Sequence, residues 1–345
     1  MLKYLVPLNN TVPNTNVKKM DEKIKIKTNK KTKTNEKNNE KENETNKPEV
    51  ETKPDEIGHS NYLATKYAHS RDAFIQFFEV GHRYVITIDP EDTTKYTSVT
   101  TWNHSHFPKF DSDKIIQQMM NGKKWNSSHK YWGLTAEQIK DQWAANGKEV
   151  SEAGTKMHFD IECFMNTHLK TDYADEYISH LDLWHHYQSL PDAEKPNTSP
   201  EWCFFLQFVN DLPNLKPFRT EWTIFDETLK IAGSIDMVYQ NPEDGTLSIY
   251  DWKRCKDINP ENMWNKYSTS PILSHIPDTN FWHYTLQLNT YKKILERKYG
   301  YQVRELFLVR LHPDNPDQTY ELIELPILAR EMEALFSQRW EEMNE

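Results

Sequence analysis

Three features are scarce or missing in this chain of 345 residues, and each excludes a class of protein. Only three cysteines are present, each standing alone, which excludes a small secreted domain held together by disulfides. No apolar run approaches the roughly 18 residues of a membrane-spanning helix. No G-x-x-x-x-G-K-[ST] string occurs, so a nucleotide cofactor on a P-loop is not expected. We therefore expect an intracellular, soluble protein of the nucleus or cytoplasm, not secreted.

The N-terminal region is poor in apolar side chains. Residues 11–56 consist mostly of Lys, Asn, Thr and Glu, which bury too little surface to offset the entropy of ordering the chain. We therefore predict that residues 1–60 form a disordered arm rich in these residue types. The remainder suits one elaborated α/β domain, with a helical N-terminal extension at 61–150 and a core at 151–345.

A β-hairpin is predicted near the middle of this core. Residues 233–240 and 246–253 are rich in β-branched and aromatic side chains, and residues 241–245 between them are dense in turn formers. If Asn241 faces Thr246 across a four-residue loop, the register of the whole hairpin follows.

In that register two carboxylates lie opposite each other. Asp236 faces Asp251, with their Cβ atoms roughly 5 Å apart, and like charges at that distance repel unless a cation lies between them. Lys253 falls on the same face as Asp251, because side chains alternate along a strand. A slip of one residue would separate the carboxylates, whereas a slip of two would leave them diagonal on one face. Gly233 suggests the close approach of a substrate or a neighbouring strand.

Other chemically active side chains have helical or strand-like surroundings. Glu221 opens an apolar run that can pair beside the hairpin and add a third carboxylate. His158 lies about one turn into a helical pattern that begins at Gly154. Gln287 and Tyr291 stand four residues apart, which places them on one face of a predicted helix.

The N-terminal extension has its own predicted elements. A helical lead-in is predicted at 62–78, and a strand at 82–88 is expected to pair with a second strand at 95–102. Short helices are predicted at 111–120 and 135–145, and the second of them begins with a capping pattern. Further helices are predicted near 175–190, 201–211 and 327–343, and further strands at 306–311 and 320–325.

The order of these motifs resembles one family of enzymes. From Gly154 to Tyr291 the chain presents GxxxH, E, GxxD, DxK and QxxxY in turn. A carboxylate-x-Lys triplet alone is weak evidence, since Glu51-Thr-Lys53 in the predicted arm has the same form. The ordered set resembles the RecB-type exonuclease branch of the PD-(D/E)xK nucleases. That branch includes the nuclease domains of bacterial recombination helicases and the mitochondrial genome-maintenance exonuclease.

The resemblance implies a role for each residue of the DxK segment and its partner strand. Asp236 and Asp251 would be the metal-binding acids, with the main-chain carbonyl of Trp252 as a further oxygen ligand. Lys253 would orient or deprotonate the attacking water and offset charge on the phosphate.

The flanking motifs receive roles in the same way. Glu221 would bind a metal directly or through water, and His158 would sit at the metal, which suits manganese as well as magnesium. Gln287 and Tyr291 would brace the lysine and the DNA backbone in the catalytic site.

At the level of the whole protein, the resemblance implies a restriction-endonuclease-like fold, a mixed β-sheet flanked by helices. It implies one or two Mg²⁺ or Mn²⁺ ions and a DNA substrate, single-stranded or with duplex ends, in recombination, repair or genome processing. Replication or recombination proteins are the expected partners, and no membrane. Relatives with an iron–sulfur cluster use four cysteines, whereas this chain has only Cys163, Cys203 and Cys255, so no cluster is expected.

Charge restricts how such a protein could hold DNA. The chain has a net charge of −10, and its first 57 residues hold 13 Lys and 10 acidic residues, which leaves 29 basic and 42 acidic residues in the remainder. Nucleic acid would therefore need a local basic groove, and the expected contributors are Lys230, Arg254, Lys256 and Lys292.

Alternatives remain open at this stage. The two aspartates could be surface carboxylates near a turn, and His158, Glu221, Gln287 and Tyr291 each have an ordinary structural interpretation. An RNA endonuclease of similar fold, or a catalytically silent nucleic-acid-binding module, would carry much the same sequence pattern.

Overall fold

The computed structural model describes residues 61–169, 178–262 and 265–344, which form a mixed α/β domain with an open β-sheet flanked by helices. The predicted arm at 1–60 lies outside the described residues. The helices are α1 (Tyr62–Lys66), α2 (Val99–His104), α3 (Ser112–Met120), α4 (Ala136–Met165), α5 (His180–Ser189), α6 (Pro200–Asp211), α7 (Asn280–Ile294) and α8 (Ala329–Asn344). The strands are β1 (Ile75–Phe78), β2 (Arg83–Ile86), β3 (Thr97–Ser98), β4 (Pro217–Asp226), β5 (Ile231–Gln240), β6 (Leu247–Lys253), β7 (Val303–Arg310) and β8 (Glu321–Glu324).

Strand β5 is the centre of the main sheet. Strand β4 pairs antiparallel along one side of it, while β3 and β6 share the other side. The pairing with β3 ends at Ala232 and the pairing with β6 begins at Met237, so the sheet forks over residues 233–236. Strand β7 pairs parallel with β6, and β8 pairs antiparallel with β7. The fork leaves the edge of β5 at residues 233–236 open to side chains from other elements.

Helices cover both faces of the sheet. Helices α2, α7 and α8 contribute to one hydrophobic core, which includes the buried Trp222 and Phe336. Helices α4, α5 and α6 contribute to the other core, which includes the buried Phe205 and Trp252. None of the helices in the described part of the chain has the length and apolar character needed to cross a membrane.

Two predictions for the N-terminal region were wrong. The lead-in at 62–78 is helical only in α1 and in a short 3-10 turn, and then becomes β1, which pairs with β2. The second strand at 95–102 is reduced to β3, which pairs with β5 and not with β2. Ser98 starts a helix there because its hydroxyl accepts the Thr101 N–H. The β-branched residues that favoured a strand form α2 instead, since Val99 and Trp102 then share one buried helix face.

The helix predicted at 135–145 and the helix that carries His158 are one continuous helix, α4. The predicted boundary between residues 150 and 151 falls inside it. Two glycines, Gly147 and Gly154, are tolerated although each costs about 1 kcal/mol relative to alanine. The predicted cap is confirmed, because the Thr135 side chain accepts the Gln138 N–H and the Gln138 side chain accepts the Thr135 N–H.

Replacing Thr135 by alanine is expected to loosen the start of α4. Losing an N-cap costs about 1 kcal/mol, so amide hydrogens in the first turns should exchange about fivefold faster. The control is Thr155→Ala in the middle of the same helix, where the hydroxyl only donates to the Ser151 carbonyl. Equal exchange rates in the two variants would contradict a stabilising cap.

His180 is expected to make the fold sensitive to acid. It is fully buried beside Tyr239, with 2.9 Å between Nε2 and the tyrosine hydroxyl, and burial lowers its pKa to about 3. The unfolded chain takes up a proton near pH 6.5 and the folded chain does not, so the free energy of unfolding falls as the pH drops below that value. Between about pH 7 and pH 5 the loss should be about 2 kcal/mol.

Urea titrations at both pH values measure this loss. His180→Gln, which keeps a polar group near Tyr239 but cannot be protonated, should remove it, whereas His168→Gln at an exposed position should not. An unchanged pH dependence in His180→Gln would assign the acid sensitivity to other groups.

Candidate metal centre

The candidate site lies where the sheet forks. The β5 and β6 strands pair from Met237 opposite Tyr250 to Gln240 opposite Leu247, which is the register predicted from the turn. One step further along the same register come Asp236 and Asp251, at the point where the ladder ends. The sequence folds this way because the Asn241 N–H bonds to the Thr246 carbonyl and closes the short loop.

His158 reaches this point from helix α4. Its Nε2 lies 3.0 Å from the Trp252 carbonyl oxygen, and a carbonyl only accepts, so Nε2 carries a proton. Its Nδ1 lies 3.7 Å from Glu221 Oε1 and 3.6 Å from Asp236 Oδ2. A histidine that binds a metal through one ring nitrogen commonly donates the other N–H to a carbonyl in this way.

The Trp252 backbone links the histidine to the first aspartate. Its carbonyl contacts His158, and its N–H donates to Asp236 Oδ2 at 3.0 Å. The carbonyl that was expected as a metal ligand thus has the imidazole as its partner.

Glu221 is held by an irregular stretch of β4. The neighbouring pairs Thr220–Met237 and Trp222–Ile235 place it opposite Asp236, and its φ of 43° is left-handed. A non-glycine residue in this region is strained by about 1 kcal/mol or more, and such strain is concentrated at functional sites. The Ser234 hydroxyl donates to Glu221 Oε2 at 3.2 Å and orients the carboxylate.

Three of the predicted ligands form one group. His158, Glu221 and Asp236 each offer one ligand atom, and these atoms lie within 4.8 Å of one another. Strands β4 and β5 supply the carboxylates and α4 supplies the imidazole, so the group depends on three elements that are far apart in sequence.

Asp251 and Lys253 form a second part of the site. The Asp251 carboxylate is buried and forms an ion pair with the Lys253 ammonium group. Burial raises the pKa of Asp251, and the charge of Asp236 raises it further. Burial opposes the charge on Lys253, but Asp251 and Asp236 outweigh it and raise the pKa of Lys253. The lysine is therefore an ammonium group positioned by Asp251.

Helix α7 closes the site from one side. Gln287 Nε2 donates to the Tyr291 hydroxyl at 3.1 Å, so the pair predicted to share a helix face does contact. The predicted close approach at Gly233 was to a substrate or a neighbouring strand, but the close neighbour in the structure is the Tyr291 side chain of α7. A Cβ on this glycine would lie 2.7 Å from Tyr291 Cε1. Tyr291 is thus buried against the strand that carries Asp236.

Two tyrosines that the sequence did not predict also belong to the site. The Lys253 Nζ lies 4.7 Å from the ring centroid of Tyr284, which stands three residues before Gln287, so helical spacing could have indicated it. Tyr84 comes from the separate β1–β2 hairpin, and no sequence signal linked it to the site. Burial raises the pKa of Tyr84 to about 12, with a further contribution from Glu221 and Asp236.

The residues expected to bind nucleic acid have intramolecular partners. Lys230 pairs with Asp92, and Arg254 Nε lies 2.6 Å from Glu201 Oε1. Lys292 Nζ lies 2.5 Å from Glu296 Oε1, and the exposed Lys256 Nζ lies 3.7 Å from Asp314 Oδ2. Their role in binding nucleic acid remains a prediction.

The charges of the site fit a divalent cation. Glu221, Asp236 and Asp251 bring three negative charges, and Lys253 brings one positive charge. With a neutral imidazole the balance is two negative charges in a largely buried place, which is costly without a counter-ion. In the protein alone, burial lowers the pKa of His158, but Asp236 and Glu221 outweigh it and raise the pKa to about 9. The proton on the imidazole then takes the place that a cation would fill.

No family model matches this chain, and no curated protein sequence matches it. The fold and the geometry of the site therefore carry the functional proposal.

Proposed function

We propose that this protein is a metal-dependent nuclease that hydrolyses DNA phosphodiester bonds. The observation that carries the proposal is the convergence of His158, Glu221 and Asp236 within 4.8 Å, next to the ion pair of Asp251 and Lys253. Carboxylate and imidazole ligands beside an ammonium group suit Mg²⁺ or Mn²⁺ at a phosphodiester.

The chain supplies ligands and orientation in this proposal. His158 Nδ1, Glu221 and Asp236 would hold the ion, and Asp251 would add a carboxylate when Lys253 turns toward a substrate. When bound, the metal lowers the pKa of water and stabilises charge on the phosphate oxygens. The Trp252 backbone fixes the imidazole and Asp236 before substrate arrives, since it contacts both.

Lys253 acts in this proposal as an oriented cation. Its ion pair with Asp251 and its position over the Tyr284 ring hold the ammonium group beside the ligands. An ammonium group can donate to a phosphate oxygen and orient a water molecule, and in this charged form it does not remove a proton.

The finer assignments rest on the resemblance in the motifs. A mixed sheet flanked by helices, with acidic residues on adjacent strands, supports the restriction-endonuclease-like fold. The order of the motifs favours a DNA exonuclease in recombination, repair or genome processing.

The test is a cleavage assay on end-labelled linear DNA, closed circular single-stranded DNA and RNA of matched sequence. With Mn²⁺ or Mg²⁺ we expect linear DNA to be degraded and the circle to be spared, and excess chelator should abolish the reaction. Preferred cleavage of RNA, with internal cuts, would favour the RNA endonuclease. No product with any substrate and either metal would leave a silent binding module.

A further inference from the structure

The N-terminal half of α4 extends through solvent. From Asp141 to Glu152 only Trp143 is partly covered, and the other residues are exposed. A helix with no buried face over three turns gains little from packing, so its length serves to hold its two ends apart. His158 lies near one end, and the segment that connects α3 to α4 lies at the other.

This connecting segment, residues 121–135, is hereafter the aromatic loop. Its rings form a connected set: Trp125 lies 4.8 Å from His129 and 5.8 Å from Trp132 between ring centroids. Trp132 remains 49% exposed, although tryptophan is normally well covered. Most other residues of the loop are exposed as well, so the rings do not serve as a hydrophobic core.

One ring of the loop, Tyr131, is anchored to α4, and the other rings are connected to it through His129. Trp143 Nε1 donates to the Tyr131 hydroxyl at 2.9 Å, and the exposed Phe110 lies 6.3 Å from Trp143. Fixed rings lose little conformational entropy when a flat ligand stacks on them.

The charge of the loop is opposite to that of the chain. The loop holds three lysines and no acidic residue, within a chain of net charge −10. Lys123, Lys124 and Lys130 are exposed, and no carboxylate of the described residues lies within salt-bridge distance of them. Lys130 Nζ lies 5.0 Å from the Tyr131 ring centroid, which keeps a cation beside the aromatic surface.

We propose that the aromatic loop binds an unpaired stretch of nucleic acid, with bases stacked on Trp132 and Trp125 and phosphates near the three lysines. Exposed rings combined with positive charge are the chemistry that recognises single strands, because every unpaired base has a free face. In a duplex those faces are covered by neighbouring bases, so duplex DNA should use the loop poorly.

The position of the loop deepens the proposed nuclease function, on which this step rests. Along α4, Ala136 and His158 are 22 residues apart in sequence, which corresponds to about 33 Å at the helical rise. A stacked strand covers that distance with about ten nucleotides. The loop would hold a strand at a distance from the bond being cut, so very short substrates cannot reach both places.

The first experiment measures binding of the full chain to a fluorescent 20-nucleotide single strand in chelator, where cleavage is suppressed. Trp132→Ala is expected to weaken binding about tenfold, the loss of one base–ring stack. Trp340→Ala is the matched control, since Trp340 is 53% exposed on α8. It should bind like the wild type.

Salt dependence tests the lysines separately. Lys123→Gln with Lys124→Gln should reduce the slope of log affinity against log salt by about 1.4, because each phosphate contact on a single strand contributes about 0.7. The proposal would be overturned if the double lysine variant kept the salt slope of the wild type, or if Trp132→Ala bound the strand as tightly as the wild type.

A cleavage comparison separates the two proposals. Trp132→Ala should lower kcat/KM about tenfold for the 20-nucleotide strand and leave a four-nucleotide strand unaffected. A protein that shows Trp132-dependent binding without metal-dependent cleavage would contradict the nuclease proposal alone. Normal cleavage together with Trp132-independent binding would contradict the role of the loop alone.

Discussion

Asp236→Asn is expected to lower the proposed metal-dependent cleavage about a thousandfold, equivalent to about 4 kcal/mol of transition-state stabilisation. The substitution removes one negative charge from the His158, Glu221 and Asp236 group without changing side-chain size. An amide oxygen can still accept the Trp252 N–H, which Asp236 accepts at 3.0 Å, so the strands should keep their positions. We therefore expect kcat to fall and the metal concentration needed for half-maximal rate to rise.

The matched control is Asp192→Asn, which removes a charge from a side chain that is 98% exposed and pairs with Lys195. Its cleavage rate should equal that of the wild type. Circular dichroism and thermal unfolding establish that both variants are folded. If Asp236→Asn cleaves within about fivefold of the wild type, the proposed ligand group is not the catalytic centre.

Gly233→Ala is expected to have the largest effect on stability. The added Cβ would lie 2.7 Å from Tyr291 Cε1 and 3.2 Å from the Val99 Cβ, so β5 or α7 must move. Overpacking of this kind costs about 3 kcal/mol. Since Asp236 lies three residues further along β5, we also expect a loss of cleavage that is not restored by added metal.

A control variant and a double variant test whether contact with Tyr291 causes the loss of stability. Gly147→Ala adds a Cβ that has no atom within 4 Å apart from the adjoining backbone of its own helix, so it should leave stability unchanged or raise it by about 1 kcal/mol. Tyr291→Ala in the Gly233→Ala background should recover about 1 kcal/mol or more relative to additive costs. Additive losses in urea titrations would show that the ring of Tyr291 is not what excludes a side chain at position 233.

The register of the hairpin could be predicted because it depends on a short loop. Turn formers at 241–245 fix which residues face each other, and the alternation of side chains then determines the positions of Asp236, Asp251 and Lys253. The helix cap at Thr135 could be predicted for the same reason, since capping depends on residues close in sequence.

Contacts between distant segments could not be predicted in this way. The hydrogen bond from His158 to the Trp252 carbonyl joins residues 94 apart, and the left-handed backbone at Glu221 has no glycine or asparagine to announce it. The lengths of α4 and β3 were also missed. Two glycines cost only about 1 kcal/mol each in a helix of 30 residues, so they do not interrupt α4. At β3, the packing of Val99 and Trp102 overrides the strand preference of the β-branched residues.

The two ends of helix α4 differ in how tightly they are packed. Its C-terminal turns, from Met157 to Met165, pack in the hydrophobic core. Its N-terminus follows the aromatic loop and is separated from that core by several exposed turns. A small tilt about the packed end would sweep the loop through a wide arc and barely displace His158. In the proposed binding role, such a tilt would let the loop follow nucleic-acid strands of different path, while His158 stays in place beside Glu221 and Asp236.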